Sequence, residues 1–269
     1  MVHHFGWKPD AFAATTLAVT LVLYLVGLTR LSRGGGLRHV ARLEIASFLA
    51  GWIVLAGALL SPIATLSEWL FSAHMTQHEL LMLVAAPLIA IGRPLVPMLW
   101  ALPERWRRAP ARLARTGTIA VCTSPLVVFG AHAVALWVWH LPALYEAAVL
   151  DDRVHIIQHV CFTATAALFW WSLIRGRYGR LGYGAALIYI FATAVHSGGL
   201  GALLALSEVP WFPLYVARAA GLADPLVDQQ LGGFIMWVPS GIVMMVFGLA
   251  MFAAWLGEAE RRRKKGWSA

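Results

Sequence analysis

Seven apolar runs, each about the length needed to cross a lipid bilayer, constrain this chain more than any other feature. They fall near residues 11–29, 44–62, 76–98, 117–138, 154–174, 184–206 and 230–256. A helix needs about 20 mostly apolar residues to traverse roughly 30 Å of hydrocarbon, and each run meets that need. Hydrophobic residues make up 60% of the 269 and charged ones only 13%. Mean hydropathy is +0.71, which excludes an ordinary soluble domain. The expectation is an all-α, polytopic membrane protein: a seven-transmembrane-helix bundle filling 1–269 as a single membrane domain. It would have a short outer N-terminal tail (1–10) and a basic cytoplasmic C-terminal tail (257–269).

Basic residues mark the sidedness. Arg30, Arg33, Arg38 and Arg42 follow the first run, and Arg93, Arg105, Arg107, Arg108, Arg112 and Arg115 follow the third. Arg175, Arg177 and Arg180 follow the fifth, and Arg261, Arg262, Arg263, Lys264 and Lys265 follow the seventh. Only Lys8, Arg153 and Arg218 lie at the other ends. Cytoplasmic loops collect Lys and Arg, so the N-terminus is expected outside and the C-terminus inside. An even number of spans would break that alternation. The net charge of +8 then reflects orientation and anionic lipid rather than nucleic acid. Asp10, Glu68, Glu79, Glu146, Asp151, Asp152, Glu208, Asp224 and Asp228 lean to the outer face, where they would modestly concentrate cations or a basic partner domain.

Turn and cap residues punctuate the runs. Ser32 to Gly36 and Pro103 to Pro110 read as inner loops. Asp151 and Asp152 suit the N-cap of the fifth helix, and Asp224-Pro225 suits the start of the seventh. Pro87 and Pro239 should kink helices three and seven. Trp137, Trp139, Trp211 and Phe212 fit an outer aromatic belt, and Trp100, Trp106, Trp170 and Trp171 an inner one. Cys122 and Cys161 lie at different depths, which argues against a disulfide. The first run, with arginines behind it and only Lys8 ahead, reads as a retained helix rather than a signal peptide.

Histidine carries the chemical signal. His74-Met75-Thr76-Gln77-His78 and His155-Ile156-Ile157-Gln158-His159 both read H-x-x-Q-H, and both open descending helices at the outer face. Residues i and i+4 project from one helical face, so two such helices side by side could offer four imidazoles to one ion. Imidazole suits copper, zinc, iron and nickel. Met75 could add a soft thioether favouring Cu(I). Gln77, Gln158 and Glu79 could fix ring orientation from behind. The other reading has these histidines simply hydrogen-bonded at the lipid–water interface. His132 and His140 occupy helix four. His196 lies near the midplane, where an ionisable group is expensive, with Ser197-Gly198-Gly199 allowing close approach by a helix or ligand. His3, His4 and His39 read as tail and loop residues, and Met236, Met244, Met245 and Met251 as packing.

In these residues the sequence resembles the CtaG family, the Bacillus-type cytochrome c oxidase assembly factors. The likeness runs from His74-Met75-Thr76-Gln77-His78 into Ala85-Ala86-Pro87-Leu88, then to Trp139-His140-Leu141-Pro142 with Tyr145. It continues through His155-Ile156-Ile157-Gln158-His159 and Asp228-Gln229-Gln230-Leu231-Gly232-Gly233, so it covers nearly the whole chain. The resemblance implies a multi-pass protein of the bacterial inner (plasma) membrane that is an assembly factor, a chaperone rather than an enzyme. It would handle copper outside the membrane for haem–copper oxidase subunits. His74, His78, His155 and His159 are the metal ligands it implies, with membrane lipid and other copper chaperones as further partners. Some members carry a fused copper-resistance-type membrane domain; a copper importer is here expected to be a separate protein. Two alternatives remain. A membrane redox protein would ligate b-type haem through two histidines, although i, i+4 pairs suit a small ion better. A transporter or di-metal membrane enzyme would want midplane polar groups or carboxylate ligands.

Overall fold

The computed structural model describes residues 10–34, 40–107, 117–174, 183–219 and 221–266. His3, His4, Lys8, Arg38, His39, Arg108, Arg112, Arg115, Arg175, Arg177 and Arg180 lie outside the described residues, as do parts of both expected inner loops. The described residues form helices and no strands. The helices are α1 (Ala11–Arg33), α2 (Arg42–Leu60), α3 (Pro62–Leu66), α4 (Phe71–Gly92), α5 (Leu95–Ala101) and α6 (Gly117–Cys122). Then come α7 (Pro125–Trp139), α8 (Pro142–Leu150), α9 (Asp152–Ile174), α10 (Tyr183–Ala205), α11 (Pro213–Arg218) and α12 (Pro225–Gly266).

Among the described residues, α1, α2, α4, α9, α10 and α12 are each long and apolar enough to cross a membrane. A seventh crossing results if α7 and α8 count as one bent span. Leu126, Ile188, Phe191 and Leu249 stay exposed on the outside of the bundle, a surface suited to hydrocarbon rather than water. The chain is a multispan membrane protein.

At the centre stands α4. Buried residues make up 56% of its apolar stretch, against at most 44% in any other span, and it packs on α2, α9 and α12. It starts earlier than the apolar run suggested and stops at Gly92 rather than 98. Arg93 takes a left-handed conformation (φ 48°) with Pro94 behind it, a combination that ends a helix. The chain then reverses, and α5 packs on α1.

Pro87 acts on α4 through a π-helical turn, Leu80–Ala85. Ala86 N donates to Leu81 O, five residues back. The next bond in that series would join residue 87 to Met82 O, and proline has no N–H to give. Trp170 on α9 supplies the missing donor, its indole Nε1 lying 2.8 Å from Met82 O. Trp170 is therefore buried, not part of an inner belt. Phe212 departs from the expected outer belt in the same way, buried against Phe71 and Tyr145 at 4.9 and 4.4 Å between ring centroids. Through Pro239, by contrast, α12 continues as helix to Gly266, into the basic segment.

The fourth crossing is broken, where a single run over 117–138 was expected. At 15 residues, α7 is about 22 Å long, short of the hydrocarbon thickness. It bends by 77° into α8. At the bend His140 N bonds Trp137 O, three residues back, at 3.2 Å. Leu136 O thereby loses its backbone donor, and His140 Nδ1 takes its place at 2.6 Å. The expected caps do form. Asp151 Oδ1 accepts from Arg153 N at 2.8 Å, and Asp224 Oδ1 accepts from Leu226 N and Val227 N at 2.9 and 3.0 Å. Cys122 and Cys161 are free thiols.

Helices α10 and α12 cross at Gly201 and Gly233. A Cβ on Gly233 would fall 2.4 Å from Ala205 N and 2.7 Å from Gly201 O, so the two backbones are in contact. Gly199, a candidate for that role, has nothing within 4 Å of its Cβ position. Gly233→Ala forces backbone apart and should lower stability by about 1–3 kcal/mol, read as a reduced unfolding midpoint in detergent. An unchanged midpoint would contradict this close crossing.

Candidate metal centre

The two H-x-x-Q-H segments open α4 and α9 at the same end of the bundle, and their histidines face one another. The His74 and His78 rings are 4.3 Å apart between centroids, and His155 and His159 are 4.2 Å apart. Across the helix pair, His74 lies 5.4 Å from His155 and 6.4 Å from His159, and His78 lies 5.5 Å from His159. His74, His78 and His159 each place a ring nitrogen so that all three lie within 4.8 Å of one another. Nitrogens sharing one ion at about 2.0–2.1 Å sit roughly 3.3–3.6 Å apart, so small ring rotations would close the set. His155 flanks this group. His140 borders it from the α7–α8 bend, 6.4 Å from His78.

Hydrogen bonding orients these rings from behind. Tyr215 of α11 donates its hydroxyl to Ser67 O at 2.6 Å. Burial pushes the Tyr215 phenol up, so the proton is retained at neutral pH. Its oxygen then accepts from His74 Nδ1 at 3.0 Å, which leaves the lone pair on His74 Nε2. His140 follows the same logic: Leu136 O can only accept, so Nδ1 carries the proton and Nε2 the lone pair. The Nε2 atoms of His74, His140, His155 and His159, and both ring nitrogens of His78, are buried with no hydrogen-bond partner among the described residues. Each such atom ordinarily costs about 1–3 kcal/mol. Several gathered around one point form a place where a ligand could supply the missing bonds.

Other expected participants divide. Met75 is buried against α12, its Cγ 3.2 Å from the Cβ position of Gly232. Gln77 turns to α2, donating from Nε2 to Ala58 O at 2.9 Å. Gln158 is fully buried beside His74. Glu79 and His132 line a separate cavity farther along the bundle. His132 Nδ1 pairs there with Thr165 Oγ1 at 3.1 Å, and the His196 ring is 6.5 Å from that of His132.

Sequence reasoning missed the struts that set this geometry. Asp228, of no evident purpose in the sequence, reaches from α12 to the N-terminus of α4. Its carboxylate accepts from Phe71 N at 2.6 Å, Ser72 N at 3.3 Å and the Ser72 hydroxyl. It thus caps a helix on another part of the chain. Beside it, Gln229 and Gln230 hold the 207–211 segment, through Trp211 N at 2.5 Å and Ser207 O at 3.0 Å. Glu146 of α8 accepts from Leu214 N at 2.7 Å, which sets α11 and so Tyr215. Tyr215 itself gave no periodic or motif signal.

A family model described as cytochrome c oxidase caa3 assembly factor (Caa3_CtaG) matches residues 22–258, spanning every histidine of this centre. The chain belongs to that family. An uncharacterized protein of Mycobacterium leprae is 24% identical over 269 residues, covering 95% of this chain and 40% of the relative. Uncharacterized proteins of Mycobacterium bovis and Mycobacterium tuberculosis are each 24% identical over 266 residues, with the same coverage. The chain therefore spans 40% of the length of these relatives. No solved structure matches it significantly. Membership of the Caa3_CtaG family agrees with the resemblance carried by the histidine motifs.

Asp228→Ala would leave buried N–H groups of Phe71 and Ser72 without an acceptor. It should lower stability by about 1–3 kcal/mol, measured by denaturant unfolding in detergent. A variant as stable as the parent would remove Asp228 from its role as the anchor of α4.

Proposed function

We propose that this protein assists assembly of a haem–copper oxidase by holding copper between His74, His78 and His159 and passing it on, with His155 and His140 as neighbouring donors. The observation that supports this most is the convergence of three imidazole nitrogens within 4.8 Å, in a chain of an oxidase assembly family. Imidazoles grouped around one point suit a single ion. A bis-histidine haem instead needs two ligands on opposite sides of a macrocycle, and His74 and His78, at 4.3 Å with perpendicular rings, are too close together to flank one as a pair. Among the described residues the group of three contains no carboxylate, which disfavours a di-metal oxygenase.

Sidedness supports copper handling outside the cell. His74 and His78 are near the start of α4, whereas Arg93 follows its other end and pairs with Glu44 at the start of α2 at 3.4 Å. Arg30, in the last turn of α1, reaches Ala101 O at 2.6 Å. This gathers basic residues at the end away from the histidines, as the positive-inside rule requires of a cytoplasmic face. Copper held by a few imidazoles near an aqueous boundary is open to ligand exchange and so to transfer.

The test compares wild type, His78→Ala and Tyr215→Phe as full chains, by copper affinity in detergent and by the copper content of the oxidase from the same cells. Tyr215→Phe releases the His74 tautomer and should weaken copper binding about 10–100-fold; His78→Ala should weaken it at least as much. Oxidase copper should fall in both while each variant still accumulates in the membrane. Normal oxidase copper in cells carrying His78→Ala would overturn the proposal.

A further inference from the structure

A cavity of about 30 Å³ lies deeper in the bundle, walled by α4, α7, α9, α10 and α12. It exceeds the roughly 10–15 Å³ that one water needs. None of the five outer histidines lines it. Phe162 of α9, 4.7 Å from the His78 ring, comes one turn after His159 and one turn before Ala166, which does line it. Its chemistry differs from that of the outer group. Glu79, His132 and three methionines, Met82, Met236 and Met244, share the wall. Met236, Ser240 and Met244 repeat at i, i+4 and i+8, so one face of α12 serves the cavity. The π-turn of α4 sits beside Glu79 and carries Met82.

The hydrogen-bond donors of this wall are already engaged. Thr193 donates to Tyr189 O at 2.9 Å, Ser197 to Thr193 O at 2.8 Å and Ser240 to Met236 O at 2.6 Å. The Trp170 indole is held by Met82 O. Thr165 gives its hydroxyl proton to Cys161 O at 2.8 Å and so accepts from His132 Nδ1, leaving the lone pair on His132 Nε2. What remains among the lining residues is lone pairs: thioether sulfurs, an imidazole nitrogen, and Glu79 Oε2, which is buried with no partner among the described residues. A buried carboxylate needs a proton or a bound cation. Thioether and imidazole donors together select a soft metal ion.

We propose that this cavity is a second, intramembrane metal site for a soft monovalent ion, Cu(I). Met82, Met236, Met244 and His132 hold the ion, and Glu79 balances its charge. The site stands on its own donors and does not require that the outer histidines bind metal.

The full chain, purified in detergent, is loaded with Ag(I), a redox-inert stand-in for Cu(I), and silver per chain is counted by mass spectrometry. The H78A/H159A variant, in which the cavity is unaltered, should keep one silver, and adding M236L/M244L should remove it. X-ray absorption of silver in H78A/H159A should show sulfur neighbours. This spectrum decides the matter even if the methionine variant fails to fold. A silver-free H78A/H159A protein, silver with only nitrogen or oxygen neighbours, or silver indifferent to M236L/M244L would each overturn the cavity site. Silver lost with the histidines alone would do so while leaving the outer copper centre standing. Silver kept in H78A/H159A in full and lost only with the methionines would support the cavity and count against the outer centre.

Discussion

One carboxylate fixes the start of the central helix. A helix N-terminus carries unpaired N–H groups, and Phe71 and Ser72 are buried, so the protein itself must satisfy theirs. Asp228 of α12 takes Phe71 N and Ser72 N together, so the first turn of α4 is fixed in height and rotation. His74 and His78 follow within two turns of that anchor. Gly232 is the adjacent condition: a side chain there would collide with Phe71, whose Cδ1 is 2.4 Å from the Cβ position. Where α4 meets α12 determines which way its imidazoles face.

The same constraint recurs with the histidines. Behind each ring stands an acceptor for Nδ1–H: the Tyr215 hydroxyl, its own proton given to Ser67 O, behind His74; Leu136 O behind His140; and the Thr165 hydroxyl, its proton given to Cys161 O, behind His132. Each pairing uses Nδ1, and at His74 and His140 it leaves a buried Nε2 without a partner among the described residues. In a low-dielectric interior such unpaired lone pairs are costly, and their concentration at two depths is what separates this bundle from one held together by apolar packing alone. Breaks in regular helix supply part of the geometry. The bend after Trp139 turns His140 back on its own helix, and the π-turn before Pro87 requires Trp170 to cross from α9.

Much of the architecture was legible because the spans are long and apolar, and the i, i+4 histidines announced their shared face. The meeting of His74, His78 and His159 follows from two helices opening at one end. Less visible were features that depend on contact between distant segments. Nothing local in Asp228 says that it caps residue 71, and nothing around Tyr215 says that it orients His74. Trp170 and Phe212 read as interfacial because aromatic composition cannot distinguish a belt from a buried partner. The fourth crossing read as one span because apolar composition hides a turn at Ser124 and a sharp bend at His140. Gln77 and Met75 sit within the motif yet face α2 and α12, since neighbours one residue apart point some 100° apart around a helix.

The most direct measurement of the outer centre is pulsed electron paramagnetic resonance on the purified full chain with one equivalent of Cu(II). Copper held between α4 and α9 should show nitrogen modulation from several imidazoles, lost or reduced in the H74A/H78A/H159A variant. A copper signal without imidazole modulation, or one identical in that variant, would contradict a metal centre between the paired histidines.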